Sequence, residues 1–151
     1  MVLRLIDITD ERLIKIGFPE KKRDAVFIEL IGLITAVHPF EDSPALFKRF
    51  VEREDVMSTA IGSAIAIPHI ISGEIEAPLL AIGIDKSGIQ YDAASEPVKL
   101  IFMFVGPSQK REPYLESLVR VSKLLKVEQN RTMLINAGTP SQVLSIIKEL
   151  D

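Results

Sequence analysis

Cysteine is absent from the 151 residues, which excludes disulfides, thiolate metal sites and cysteine nucleophiles together. Histidine is scarce. His38 and His69 are the only two, and with no carboxylate cluster beside either they argue against a zinc site. A basic surplus is also missing: charged residues make up 26% of the chain and leave a net charge of −3, so nothing in the balance points to a nucleic-acid partner. The short basic cluster Lys21-Lys22-Arg23 reads as the solvated first turn of a helix. The charge-free stretch from Val56 to Gly73 is long enough to raise the question of a membrane span, but Ser58, Thr59, Ser63, Pro68 and His69 interrupt it. It reads as buried strand and loop. The opening Met-Val-Leu-Arg-Leu-Ile-Asp has charges too early for a signal peptide. Valine at position 2 and the lack of cysteine leave no lipidation signal. The expectation is a cytoplasmic protein with no membrane and no nucleic-acid partner.

What is present is apolar: 47% of the residues, enough for a sizeable core in one domain. Leu13 to Gly17 suggests a short edge strand. Helix one is expected from about Glu20 to Ala36, with Phe27, Leu30, Ile31 and Ile34 at the spacing of a buried face. His38-Pro39 ends it, which makes His38 a loop histidine without a role. Ser43-Pro44 starts a second helix, serine capping it and proline standing in the first turn. That helix is expected to end near Arg53-Glu54. Met57 to Ile67 reads as one or two strands around Gly62. Leu79 to Asp85 and Lys99 to Val105 are the clearest strands, the latter an almost unbroken apolar run suited to a sheet centre. Gly88 and Tyr91 to Pro97 read as a turn-rich connection between them.

The last third is helical. Leu115, Leu118, Val119, Ser122 and Leu125 mark one face, and Gly138 stops a following helix that contains Met133 and Leu134. Thr139, Pro140 and Gln142 form a capping box for a terminal helix that buries Val143, Ile147 and Leu150. Helices before and after a strand block give a single-domain α/β fold over residues 1–151. The expectation is a three-layer α/β/α sandwich with a mixed central sheet, whose pairing order periodicity does not reveal.

Chemistry concentrates between Arg53 and Ile70. Pro68 fixes its own φ and pushes Ile67 toward extended geometry, so His69 leaves a strand end in a defined direction. A neutral imidazole attacks phosphorus well and also leaves well, which suits a phosphoryl relay. The transition state of such a transfer needs placed cations and donors more than an acid or base. Arg53 offers a planar fork for two phosphoryl oxygens, and Thr59, Ser58 and Ser63 are candidate neutral donors. Taken singly, Arg53 is a helix-end residue neutralising Glu52 or Glu54, Thr59 a strand residue, and Tyr114 a surface tyrosine at a helix start.

The order Arg53-Glu54, Ser58-Thr59, small residues alternating with isoleucine, then Ala66-Ile67-Pro68-His69 resembles the phosphorylation-site signature of phosphotransferase-system enzyme IIA domains. The similarity is to their fructose, mannitol and nitrogen-regulatory class. It extends over nearly the whole chain, through Tyr91-Asp92-Ala93, Pro97-Val98 and the Pro107 turn. It implies that His69 accepts the phosphoryl group, that Arg53 assists its oxygens and that Thr59 orients the site. The implied donor is an HPr/NPr-like histidine-containing phosphocarrier protein, charged ultimately by phosphoenolpyruvate. A regulatory target or a IIB-type acceptor lies downstream, and no cofactor or metal is implied.

This chain departs from that pattern in five places. Ala60, Ala64 and Ile70 stand where the family usually has glycine, and Tyr114 replaces the family's second active-site histidine. Tyrosine can donate a hydrogen bond but cannot become a cation near neutral pH. Ser95-Glu96 also alters the residues common before Pro97-Val98. A rival reading is therefore a non-catalytic regulatory binding module with weakened or lost transfer. A kinase or hydrolase reading fails for want of a phosphate loop or a nucleophile elbow.

Overall fold

The order of burial follows from one long hairpin. In a computed structural model, which describes residues 3–93 and 96–151, strands β5 (Leu79–Ile89) and β6 (Val98–Pro107) pair antiparallel along most of their length. β6 is apolar at nearly every position and β5 is so over residues 79–84, as strands covered on both faces must be. Leu80, Ile82, Phe102 and Phe104 point to one face, and Ala81, Ile101, Met103 and Val105 to the other.

The remaining strands are short and attach to this hairpin. β1 (Ile14–Ile16) runs parallel to β5 at one edge. At the other side β3 (Ile65–Ala66) and β4 (His69–Ser72) lie in succession along β6, both parallel to it, and β2 (Ala60–Gly62) pairs antiparallel with β3. The sheet is thus mixed, in the order β1-β5-β6-β3-β2 with β4 also on β6. Helices α1 (Arg23–Val37) and α2 (Ser43–Val56) cover the face of Ala81 and Met103, while α3 (Glu112–Lys126), α4 (Glu128–Ile135) and α5 (Pro140–Leu150) cover the other. This is the expected three-layer α/β/α sandwich with a mixed sheet. No described helix is long and apolar enough to cross a membrane.

Several local expectations are corrected. Lys21 and Lys22 precede α1 rather than open it. The α2 cap is Asp42, whose carboxylate accepts the Ala45 amide at 2.7 Å, and Ser43 is already helical. Gly88 lies inside β5 at φ +90° beside a register shift, and any Cβ there would meet Pro97 at 2.7 Å. α4 ends at Asn136 without help from Gly138. Thr139 does cap α5, but the Gln142 side chain accepts the amide of Gly138 instead of the cap's own.

The largest correction concerns α3. Its buried residues are Tyr114, Ser117, Val121, Leu124 and Leu125, whereas Leu115 and Val119 are more than half exposed. The helix is rotated because the Tyr114 ring lies flat against Gly106, where a Cβ would approach it to 2.6 Å, and meets Phe104 edge-on at 6.3 Å. Packing that ring turns the aliphatic pair outward.

Candidate functional site

β4 begins one residue after a proline, and that proline decides where His69 stands. Between β3 and β4 the chain stays beside β6, with the Pro68 carbonyl accepting the Phe104 amide at 2.9 Å and that of Ser72 accepting Ser108 at 3.2 Å. Backbone alternation then sends the carbonyls of Ile67 and Ile71 to the open side of the strand. Ile67 O accepts His69 Nδ1 at 2.8 Å. A carbonyl can only accept, so Nδ1 carries a proton, and in the neutral ring Nε2 keeps the lone pair. His69 is half-buried and in register with Phe104, on the sheet face of Tyr114.

α2 supplies the cations. Arg49, Glu52, Arg53 and Val56 line one shallow depression with His69, Ile70 and Ile71. Arg53 sits in the last turn of α2, which runs on to Val56, and donates to the Met57 carbonyl at 3.0 Å. Neither neighbouring glutamate neutralises it. Glu54 turns inward to Thr59, and Glu52 reaches toward Lys48 at 3.9 Å. Among the described residues no carboxylate lies within ion-pair distance of Arg53.

Thr59 is placed differently. It is buried, its amide donates to Glu54 Oε2 at 2.9 Å and its hydroxyl to Glu54 Oε1 at 2.6 Å. With that proton committed, the Tyr91 hydroxyl 3.3 Å away donates to Thr59 Oγ1. Burial, together with the Glu54 charge, pushes the Tyr91 hydroxyl far above its ordinary pKa, so it stays a donor. Thr59 therefore joins β2 to the end of α2. Ser58 bonds the Asp92 carboxylate at 2.7 Å, and Ser63 lies in the β2–β3 turn.

Tyr114 is buried, not a surface residue. Burial raises its hydroxyl to about pKa 12 against the opposing pull of Arg111 and Arg53. It is neutral at every physiological pH. Ala64, at one of the positions where the resemblance expects glycine, has φ +62°, beside Ser63 at +56°. A side chain is strained in that left-handed turn, which gives a physical reason for glycine there. The departure at Ser95 lies outside the described residues.

Sequence reasoning missed Arg49 and Glu41, and it named Glu54 and Tyr91 only within the motif order, without their bonds to Thr59. Of the two missed residues Arg49 carried a signal, since it stands four residues before Arg53 and therefore on the same helix face. Among the described residues no group of three His, Cys, Asp or Glu side chains is gathered as a metal site.

Comparison with known proteins shows the family and the fold. The chain is 28% identical over 150 residues to the fructose-specific EIIABC component of Bacillus subtilis, spanning 99% of this chain but 24% of that protein. It is 26% identical to the nitrogen regulatory protein of Pseudomonas aeruginosa, covering 89% of this chain and 88% of the relative. The nitrogen regulatory protein IIA-Ntr of Neisseria meningitidis has the same fold, with a TM-score of 0.80 at 22% identity over 95% of this chain and 98% of that one. A family model matches residues 7–150, and the chain belongs to that family, the EIIA 2 components of the phosphoenolpyruvate-dependent sugar phosphotransferase system.

Proposed function

We propose that the chain, as one EIIA domain, accepts a phosphoryl group on His69 Nε2 from a histidine-containing phosphocarrier protein of the HPr or NPr kind. It then hands that group to a IIB-type acceptor or signals with it. The Nε2 lone pair attacks phosphorus while the donor's P–N bond breaks and its electron pair returns to the donor ring. The His69 ring becomes cationic, and the Ile67 carbonyl holding Nδ1–H stabilises that charge. Arg53 meets the equatorial oxygens with a guanidinium that no carboxylate occupies. Thr59 acts from behind, fixing the end of α2 through Glu54. The observation that carries the reading is the Nδ1 bond to Ile67, because it leaves Nε2 free in a depression shared with an unneutralised arginine.

The test is labelling from phosphoenolpyruvate with the two upstream proteins of the system. Wild type is expected to take an acid-labile, base-stable phosphate that His69→Gln abolishes without a change in fold. A second reading, regulatory binding without transfer, draws on the neutral, buried Tyr114 and the strained Ala64. Absence of label under conditions that charge the phosphocarrier would favour it.

A further inference from the structure

β4 is four residues long and among the described residues pairs on one side only, with β6. A short strand with one bare edge is a poor platform for a reacting ring unless something holds that edge. The holder is Arg49. Its Nη1 grips both oxygens of Glu41, at 3.0 and 2.9 Å, and its Nη2 donates to the carbonyl of Ile71, which faces the bare edge. Glu41 in turn accepts the hydroxyl of Ser72, so the last two residues of β4 are tied one to the middle of α2 and the other to the loop before it. One turn further along the same helix stands Arg53.

We propose that Arg49 is a positioning residue: with Glu41 it clamps the open edge of β4 to α2, so that His69 Nε2 and Arg53 are held as one rigid unit. The clamp rests on the relay reading for its functional value, but its geometry is independent of it. A guanidinium suits this task because its rigid fork serves two acceptors at once, which an ammonium does less well. Because Arg49 is bound to Glu41, its charge is already neutralised. It acts through geometry, unlike Arg53.

The experiment compares Arg49→Gln, Arg49→Lys and Glu41→Gln with wild type. Phosphorylation is measured at saturating phosphocarrier, and His69 ring nitrogens are observed by 15N NMR in the unphosphorylated protein. Reactions fall steeply with small misplacements, so Arg49→Gln and Glu41→Gln should each slow maximal transfer by about tenfold or more, with little change in KM for the phosphocarrier. Arg49→Lys should recover part of the rate. In the spectra, wild type should show a fixed Nδ1–H tautomer, and the two glutamine variants an average of both tautomers. If Arg49 instead served as a mobile cation for the phosphoryl group, Glu41→Gln would free it and raise the rate, which overturns the clamp. Unchanged rates and unchanged spectra in all three variants overturn it too. Should wild type take no label, the relay reading fails, and the tautomer comparison alone decides the clamp.

Discussion

Two cations flank opposite sides of the sheet, and their surroundings differ in one respect. Near β1, Lys21 lies 2.6 Å from Asp85 and also donates to the Phe18 carbonyl, while Asp85, 2% exposed, accepts the Phe18 and Ser87 amides as well. Every polar atom in that cluster has its partner. Beside β4, Arg53 donates to one backbone carbonyl and has no carboxylate among the described residues. A buried carboxylate must be paired where it stands, or folding suffers. A cation left open in a depression beside an imidazole lone pair has room for an anion that comes and goes. The first arrangement is structural and the second fits a transient phosphoryl group.

Removing each cation's chemistry should therefore move different observables. Arg53→Gln should slow phosphorylation of His69 by about 10²-fold or more, the usual loss for one transition-state donor. It should change stability by less than about 0.5 kcal/mol, as for a partly exposed residue with one backbone bond. A comparable loss of stability would mean that Arg53 is a structural residue like Lys21. Asp85→Asn should do the reverse, leaving phosphotransfer intact and costing about 2 kcal/mol in urea unfolding, since Lys21 is partly exposed and the broken pair only partly desolvated.

The acid limb sharpens the contrast. Burial alone would raise the Asp85 carboxyl, but Lys21 and the Phe18 and Ser87 amides outweigh it and hold it below the ordinary value of 3.8. A depressed folded pKa means that the unfolded chain binds the proton first as pH falls. The stabilisation is therefore complete above about pH 4 and lost as pH drops through the folded value. Urea midpoints measured from neutral pH down to about pH 2 should converge for wild type and Asp85→Asn at the acid end. Parallel curves would show that the charge contributes nothing.

The parts of the molecule that local pattern controls were legible in the sequence. Phe27, Leu30, Ile31 and Ile34 all lie in the core as their spacing requires, and the apolar run of β6 occupies the centre of the sheet. The α3 face was misread because Leu115 and Val119 outweigh Tyr114 in a count of apolar residues. The deciding contact, Tyr114 on Gly106, is one between strand and helix that periodicity cannot represent. β4 was hidden for a related reason: four residues behind a proline carry no period, and only the register with β6 makes them a strand. At the site, the motif order singled out His69 and Arg53 individually. Their shared depression, the tautomer set by Ile67, and the clamp joining Arg49 to residues 8 positions before it and 22 after it are products of the tertiary fold.

The smallest expected effect tests how far neutrality at position 114 separates this site from a fully charged one. Tyr114 stands on the same sheet face as His69, and its hydroxyl senses both Arg53 and Arg111. Held near pKa 12 it contributes no charge to a phosphorylated neighbour. Tyr114→His would place a titrating group there. The two arginines oppose its protonation and a dianionic phosphohistidine favours it, so the introduced ring should charge only when phosphate is present and pH is at or below about 6.5. The half-life of the phosphorylated form relative to wild type at the same pH should then lengthen a few-fold near pH 6, and by less near pH 8. Tyr114→Phe should leave it unchanged. The smaller ring also uncovers Gly106, so a stability loss of about 1 kcal/mol is expected and must be measured separately. A half-life that is unchanged or shorter at both pH values would mean that position 114 is too deeply packed against Phe104 to exchange charge with His69. Tyr114 would then belong with Asp85, among the groups whose partners are fixed by the fold.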